Sequence, residues 1–125
     1  MGIFDSMFKP DSKPLWPGVT IQSKADLEGL LEKSFIRPQL IFKHSTRCSI
    51  SRYVLSDFIA HYTFSSDELE SHYLDLLNYR EISNQIADQL EVTHQSPQIL
   101  LIKNGKVVVY ASHEGITELQ LSIYL

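Results

Sequence analysis

The sequence predicts an α/β domain with a mixed central sheet and helices on both faces. Three observations carry this. Short apolar runs alternate with stretches whose apolar residues recur every three or four positions, which are the marks of strand and amphipathic helix in turn. Near the end, two β-branched runs, Ile99 to Ile102 and Val107 to Tyr110, flank Lys-Asn-Gly-Lys. Asn104-Gly105 supplies the positive φ angles of a two-residue hairpin turn, so these two strands are antiparallel neighbours. Finally, the order strand, helix, strand, helix, strand, helix, hairpin, helix implies parallel strands joined by right-handed crossovers, with the hairpin adding antiparallel partners.

Taken in order, residues 1–18 read as an irregular arm, with Pro10, Pro14 and Pro17 close together and Trp16 as an anchor. Residues 19–125 form the domain. Val19 to Gln22 is a short first strand. Ser23 caps the first helix, Asp26 three residues on completes a weak capping box, and Leu27, Leu30, Leu31 and Phe35 form its apolar stripe. Pro38 marks the end of that helical region. Leu40, Ile41 and Phe42 suit a buried strand, Lys43 to Arg47 a polar loop, and Ile50, Val54 and Phe58 the inner face of a second helix. Thr63 to Glu70 is polar and acidic, a loop with a helical turn; Tyr73 to Leu77 is a third strand. Ile82, Ile86 and Leu90 place a third helix from about Arg80. After the hairpin, Thr117 with Gln120 starts a last helix that turns Leu121, Tyr124 and Leu125 to the sheet.

Composition narrows the function. The chain has 125 residues, 43% hydrophobic and 21% charged, which suits one globular domain with a sizeable core. Its net charge of −4 argues against general nucleic-acid binding. The N-terminal residues lack the basic and apolar pattern of a secretory signal, and no run is long enough to span a bilayer, so a cytoplasmic protein without a membrane partner is expected. Met1-Gly2-Ile3-Phe4-Asp5-Ser6 fits the short N-myristoylation pattern, which matches often by chance. One cysteine excludes an intramolecular disulfide framework. His44, His61, His72, His94 and His113 have no ligand spacing, so no metal is expected.

That cysteine, Cys48, begins the second helix. The unpaired N–H groups and the positive dipole end there stabilise an anion, and the thiolate is the reactive form of cysteine. Between Glu32 and Asp57 there is no acidic residue, but there are Lys33, Arg37, Lys43, Arg47 and Arg52. Ser51, three positions on, shares the helix face with Cys48 and is placed to donate a hydrogen bond to sulfur. The competing reading is a small buried filler, since free cysteines are among the most buried residues.

Phe42-Lys43-His44-Ser45-Thr46-Arg47-Cys48-Ser49-Ile50-Ser51, then His94-Gln95-Ser96-Pro97-Gln98, then Ser112-His113-Glu114-Gly115-Ile116-Thr117 resemble the monothiol bacilliredoxin (YtxJ-like) family. The resemblance runs from about Trp16 to the end and implies the thioredoxin-like fold, with a cis-proline, Pro97, beside the active cysteine. It implies a thiol-disulfide oxidoreductase that removes bacillithiol from protein mixed disulfides, with bacillithiol as thiol co-substrate and no permanently bound cofactor. The expected partners are bacillithiolated proteins, with a low-molecular-weight thiol or another redoxin as reductant. Cys48, Ser51 and Pro97 are then the catalytic set, and Lys43, Arg47 and Ser96 contact substrate, with Lys43, Arg47 or Arg52 as the cation that meets the carboxylates of bacillithiol. Ser49 departs from the proline that usually follows the family's cysteine.

Two other classes compete. A cysteine hydrolase would use His94 or His113 as base, but nothing in the sequence marks an orienting third residue. A non-catalytic thioredoxin-like adaptor, or a thiol-dependent iron-sulfur carrier, fits a lone cysteine; the carriers have Cys-Gly-Phe-Ser where this chain has Cys48-Ser49-Ile50-Ser51.

Overall fold

The computed structural model describes residues 16–125. The myristoylation pattern and the expected arm up to residue 15, with Pro10 and Pro14, lie outside the described residues. Five strands form one sheet: β1 (Val19–Thr20), β2 (Gln39–His44), β3 (Glu70–Asp75), β4 (Gln98–Lys103) and β5 (Lys106–Ser112), in spatial order β1-β3-β2-β4-β5. β1 and β2 run parallel to β3, while β4 is antiparallel to β2 and β5 to β4. The helices are α1 (Lys24–Lys33), α2 (Ser49–Ala60), α3 (Arg80–Leu90) and a single turn, α4 (Gly115–Glu118), followed by a 3-10 turn over Leu121–Tyr124. The expected element order is the observed one.

β2 lies at the centre, and all six of its residues are buried. A strand covered on both faces cannot alternate apolar with exposed polar residues, so its two faces feed two cores. Ile41 joins Leu27 and Leu30 of α1, and Ile82 and Ile86 of α3, on one face. Leu40 and Phe42 meet Val54 and Leu55 of α2, together with Ile116 and Leu121, on the other. Trp16, the first described residue, packs on the α2 side of the sheet: its ring stacks on Phe58 at 5.9 Å and meets Phe42 edge-on at 5.8 Å, while its indole N–H donates to the Ser71 carbonyl at 3.3 Å.

Local chemistry sets most of the boundaries. The Ser23 hydroxyl caps the helix by accepting from the Asp26 amide at 3.1 Å, and the Asp26 carboxylate reaches back one residue further than in a standard capping box, accepting from the Gln22 amide at 2.9 Å. Asn104 (φ 54°) and Gly105 (φ 76°) both take the left-handed conformation that the hairpin needs. The Ser34 carbonyl and hydroxyl accept from the amides of Asn104 and Gly105, each at 2.8 Å, tying this turn to the end of α1.

Four expectations need correction. α1 ends at Lys33, so Phe35 falls outside its stripe and is 65% exposed, with its ring beside Gly105. On α2 Val54 is buried and Phe58 packs on the same core, as expected, but Ser51 and Leu55 complete the inner face in place of Ile50, which is 46% exposed. β3 ends at Asp75, with Leu76 and Leu77 in the following turn. The last helix is two short turns broken at Leu119, whose backbone is extended; Thr117 lies inside the first, donating to the Glu114 carbonyl at 2.7 Å instead of capping. Only Leu121 of the three expected inward residues is buried; Tyr124 and Leu125 are each 37% exposed.

Candidate active site

The site grows from the C-terminal end of β2. After His44 the chain turns through Ser45, Thr46 and Arg47, closed by the Cys48 amide donating to the Ser45 carbonyl at 3.2 Å. Cys48 is the N-cap of α2, with the extended backbone (φ −98°, ψ 121°) usual there, and its side chain makes no capping hydrogen bond. The thiol is neither sealed in the core nor fully exposed. This excludes the buried-filler reading. No acidic residue stands in the first turn of α2, and Arg47 and Arg52 are exposed on either side of the cysteine in sequence. Ser49, at the first helical position, keeps a backbone N–H that a proline would lack.

Two further loops come to this end of the sheet. The Ser96-Pro97 peptide bond is cis, as expected. Because β4 pairs with β2 through Lys43 opposite Gln98, the preceding residue Pro97 lies alongside His44, where the cysteine loop begins. Pro97 is buried, and its carbonyl accepts from the His113 amide at 2.9 Å, joining the turn after β5 to the same corner. The Ser96 hydroxyl is buried there, with no hydrogen-bond partner among the described residues.

Ser51 is fully buried, and its hydroxyl is engaged differently from the sequence expectation. It accepts from the Ser45 amide at 3.1 Å and lies 2.7 Å from Nδ1 of His44. Sequence reasoning missed His44. Its signal was the alternation Leu40, Phe42, His44, which puts the imidazole on the α2 face of the sheet. Burial, the largest influence, lowers the His44 pKa; Asp75 raises it and Arg52 lowers it.

Lys43 corrects the expected loop cation. β2 continues through it, and alternation turns its side chain to the face opposite α2, where it is completely buried. Its ammonium donates to the Ser83 carbonyl at 3.2 Å and lies 3.4 Å from Nδ1 of His94, which is also 3.2 Å from the Ser83 hydroxyl. A carboxylate arriving from solvent cannot reach it, so Lys43 leaves the substrate-contact set. His94 is correspondingly turned toward α3, which removes it as a base for Cys48. The remaining histidines are dispersed: Nε2 of His72 is 2.8 Å from Gln39 Oε1, and His61 is exposed beside Asp57. Among the described residues, no three His, Cys, Asp or Glu side chains are grouped to hold a metal ion. None of the described helices is long and apolar enough to cross a membrane.

Burial lowers the Lys43 pKa to about 8. The unfolded chain therefore binds more protons than the folded one between pH 8 and the reference value of 10.5, and stability must rise with pH across that window. Urea unfolding should show a gain of roughly 1–3 kcal/mol on going from pH 7.5 to about 9.5, below the range where tyrosines ionise. Lys43→Met should flatten it. An equal rise in that variant would assign the effect to another group.

A lone, partly exposed cysteine at a helix start, with a cis-proline at the same end of a β1-β3-β2-β4-β5 sheet, marks a thiol-redox protein of the thioredoxin fold. The chain belongs to the family described as monothiol bacilliredoxin BrxC, with a match over residues 19–121. Solved structures agree on the fold. A solved protein with a thioredoxin fold is 27% identical with a TM-score of 0.68, covering 79% of this chain and 85% of that one. Thioredoxin from Fasciola hepatica is 25% identical with a TM-score of 0.61, over 86% and 96% of the two chains. Thioredoxin from Malassezia sympodialis, at 16% identity and a TM-score of 0.65 over 93% and 96%, shares the fold.

Proposed function

We propose that this protein is a monothiol thiol-disulfide oxidoreductase that removes bacillithiol from protein mixed disulfides through Cys48. The observation that supports it best is the lone cysteine itself, partly exposed at the start of α2 in a chain of the monothiol bacilliredoxin family. The Cys48 thiolate attacks the bacillithiol sulfur, the substrate's disulfide bond breaks, and the protein thiolate leaves and takes a proton from solvent. One disulfide is exchanged for another, with Cys48 now carrying bacillithiol. The chain holds no second cysteine to resolve it. A low-molecular-weight thiol or another redoxin must therefore complete the cycle, with bacillithiol the co-substrate and no resident cofactor, in the reducing cytoplasm.

In this reading Pro97 and Ser96 flank the bound disulfide, and the exposed Arg47 meets the carboxylates of bacillithiol. Ser51 supports the thiolate from the helix side. The test is to incubate the protein with a bacillithiolated model protein and weigh both. One bacillithiol adduct on Cys48 with stoichiometric loss from the substrate is expected. Arg47→Glu should slow transfer from the bacillithiolated substrate about threefold more than from one carrying a neutral thiol. A wild type that never acquires the adduct while the substrate keeps its bacillithiol would overturn the reading.

A further inference from the structure

We propose that His44 is a positioning residue for Cys48 that acts through Ser51, deciding whether the serine hydroxyl proton points to the imidazole or to the sulfur. The inference rests on Cys48 being the thiol that exchanges, and it concerns how that thiol is controlled.

The argument is a count of protons and lone pairs. A serine hydroxyl has one proton and two acceptor positions. The Ser45 amide occupies one acceptor position of Ser51, at 3.1 Å. Nδ1 of His44, at 2.7 Å, must be either the acceptor of the hydroxyl proton or a donor to the second lone pair. With the imidazole proton on Nε2, the hydroxyl gives its proton to Nδ1 and has nothing for sulfur. With the proton on Nδ1, the imidazole donates, and the hydroxyl proton is free to turn along the helix face toward Cys48, three positions earlier. Ser51 is fully buried and His44 is 3% exposed, so water does not substitute for either partner.

The surroundings keep both states within reach. Asp75 stands opposite His44 on β3 and favours positive charge on the ring. Arg52 on α2 opposes it, and the Tyr73 ring packs 5.7 Å away on β3. On β4, Pro97 and Ile99 carry no charge, and Lys43 lies on the other face of the sheet. His113 and Glu114, in the turn after β5, are the other ionisable groups at this corner and are exposed. A negative sulfur then favours the Nδ1–H imidazole, and a capped sulfur releases it to Nε2–H; by reciprocity, the Nδ1–H form favours the thiolate.

Nitrogen NMR of the imidazole distinguishes the two tautomers directly. At alkaline pH the free protein should show His44 protonated on Nδ1. The same protein capped at Cys48 with iodoacetamide should show it protonated on Nε2. In Ser51→Ala the tautomer should not respond to capping, and the alkylation rate of Cys48 should fall about fivefold, as expected for loss of a hydrogen bond to a charged atom. One tautomer in both forms of the wild type would overturn the proposal, and that comparison needs no variant to fold. A response that persists in Ser51→Ala would also overturn it, assigning the effect to direct charge interaction. No bacillithiol is used, so these outcomes are independent of whether bacillithiol is the substrate.

Discussion

Cys48→Ser is expected to abolish thiol exchange while leaving the fold as stable as the wild type, or slightly more so. The chain has no other sulfur nucleophile, since its remaining sulfurs are the thioethers of two methionines, and a serine hydroxyl is not ionised near neutral pH. Exchange with a mixed disulfide should fall to the uncatalysed background. Stability should move the other way. Cys48 occupies the N-cap of α2 without capping it, and serine is among the best residues for that place, so a gain of about 0.5–1 kcal/mol is expected in urea unfolding. Activity measured beside unfolding separates the two effects. Residual exchange in the variant would remove Cys48 as the nucleophile, and a loss of stability would show that the sulfur contributes to packing.

Phe42→Ala should be the most damaging single truncation near the site, at roughly 3–5 kcal/mol. Phe42 is fully buried at the middle of β2, between Trp16 at 5.8 Å and Phe58 at 5.4 Å, where rigid rings on three elements leave little room to collapse into the cavity. Ile50→Ala, eight residues on, should cost under about 0.5 kcal/mol, because Ile50 is 46% exposed. If the two variants unfolded at the same urea concentration, the arrangement of α2 on the sheet described here would be wrong.

That contrast shows what was legible in the sequence. Both Ile50 and Phe42 are apolar residues in apolar patterns, and four-residue spacing marks a helix without saying how far along it the stripe stays in contact with the sheet. Val54 and Phe58 do meet the core, but in the first turn tertiary contact takes Ser51 inside and leaves Ile50 out. Element order, the helix cap at Ser23 and the Asn104-Gly105 turn were legible because short-range chemistry sets them. The last helix was not, since the Thr117 pattern fits a cap and only the extended backbone of Leu119 shows the break. Cys48 and its place at a helix start could be read from spacing alone. Lys43 and His44 could not, because both look like loop residues after Phe42. Extending β2 by two residues sends one side chain to each face and removes both from solvent.

The central place of β2 has a consequence for motion. Its backbone is hydrogen-bonded to β3 on one side and β4 on the other, and helices cover both of its faces. Such a strand exchanges its amide hydrogens only when most of the molecule opens, whereas edge strands such as β1 and β5 fray cheaply. The cysteine loop is therefore suspended from the slowest-opening segment of the chain, and the Ser51 hydroxyl that grips the Ser45 amide ties its first residue to α2. Local fluctuations that loosen the hairpin or the first strand therefore leave in place the strand from which the cysteine loop hangs.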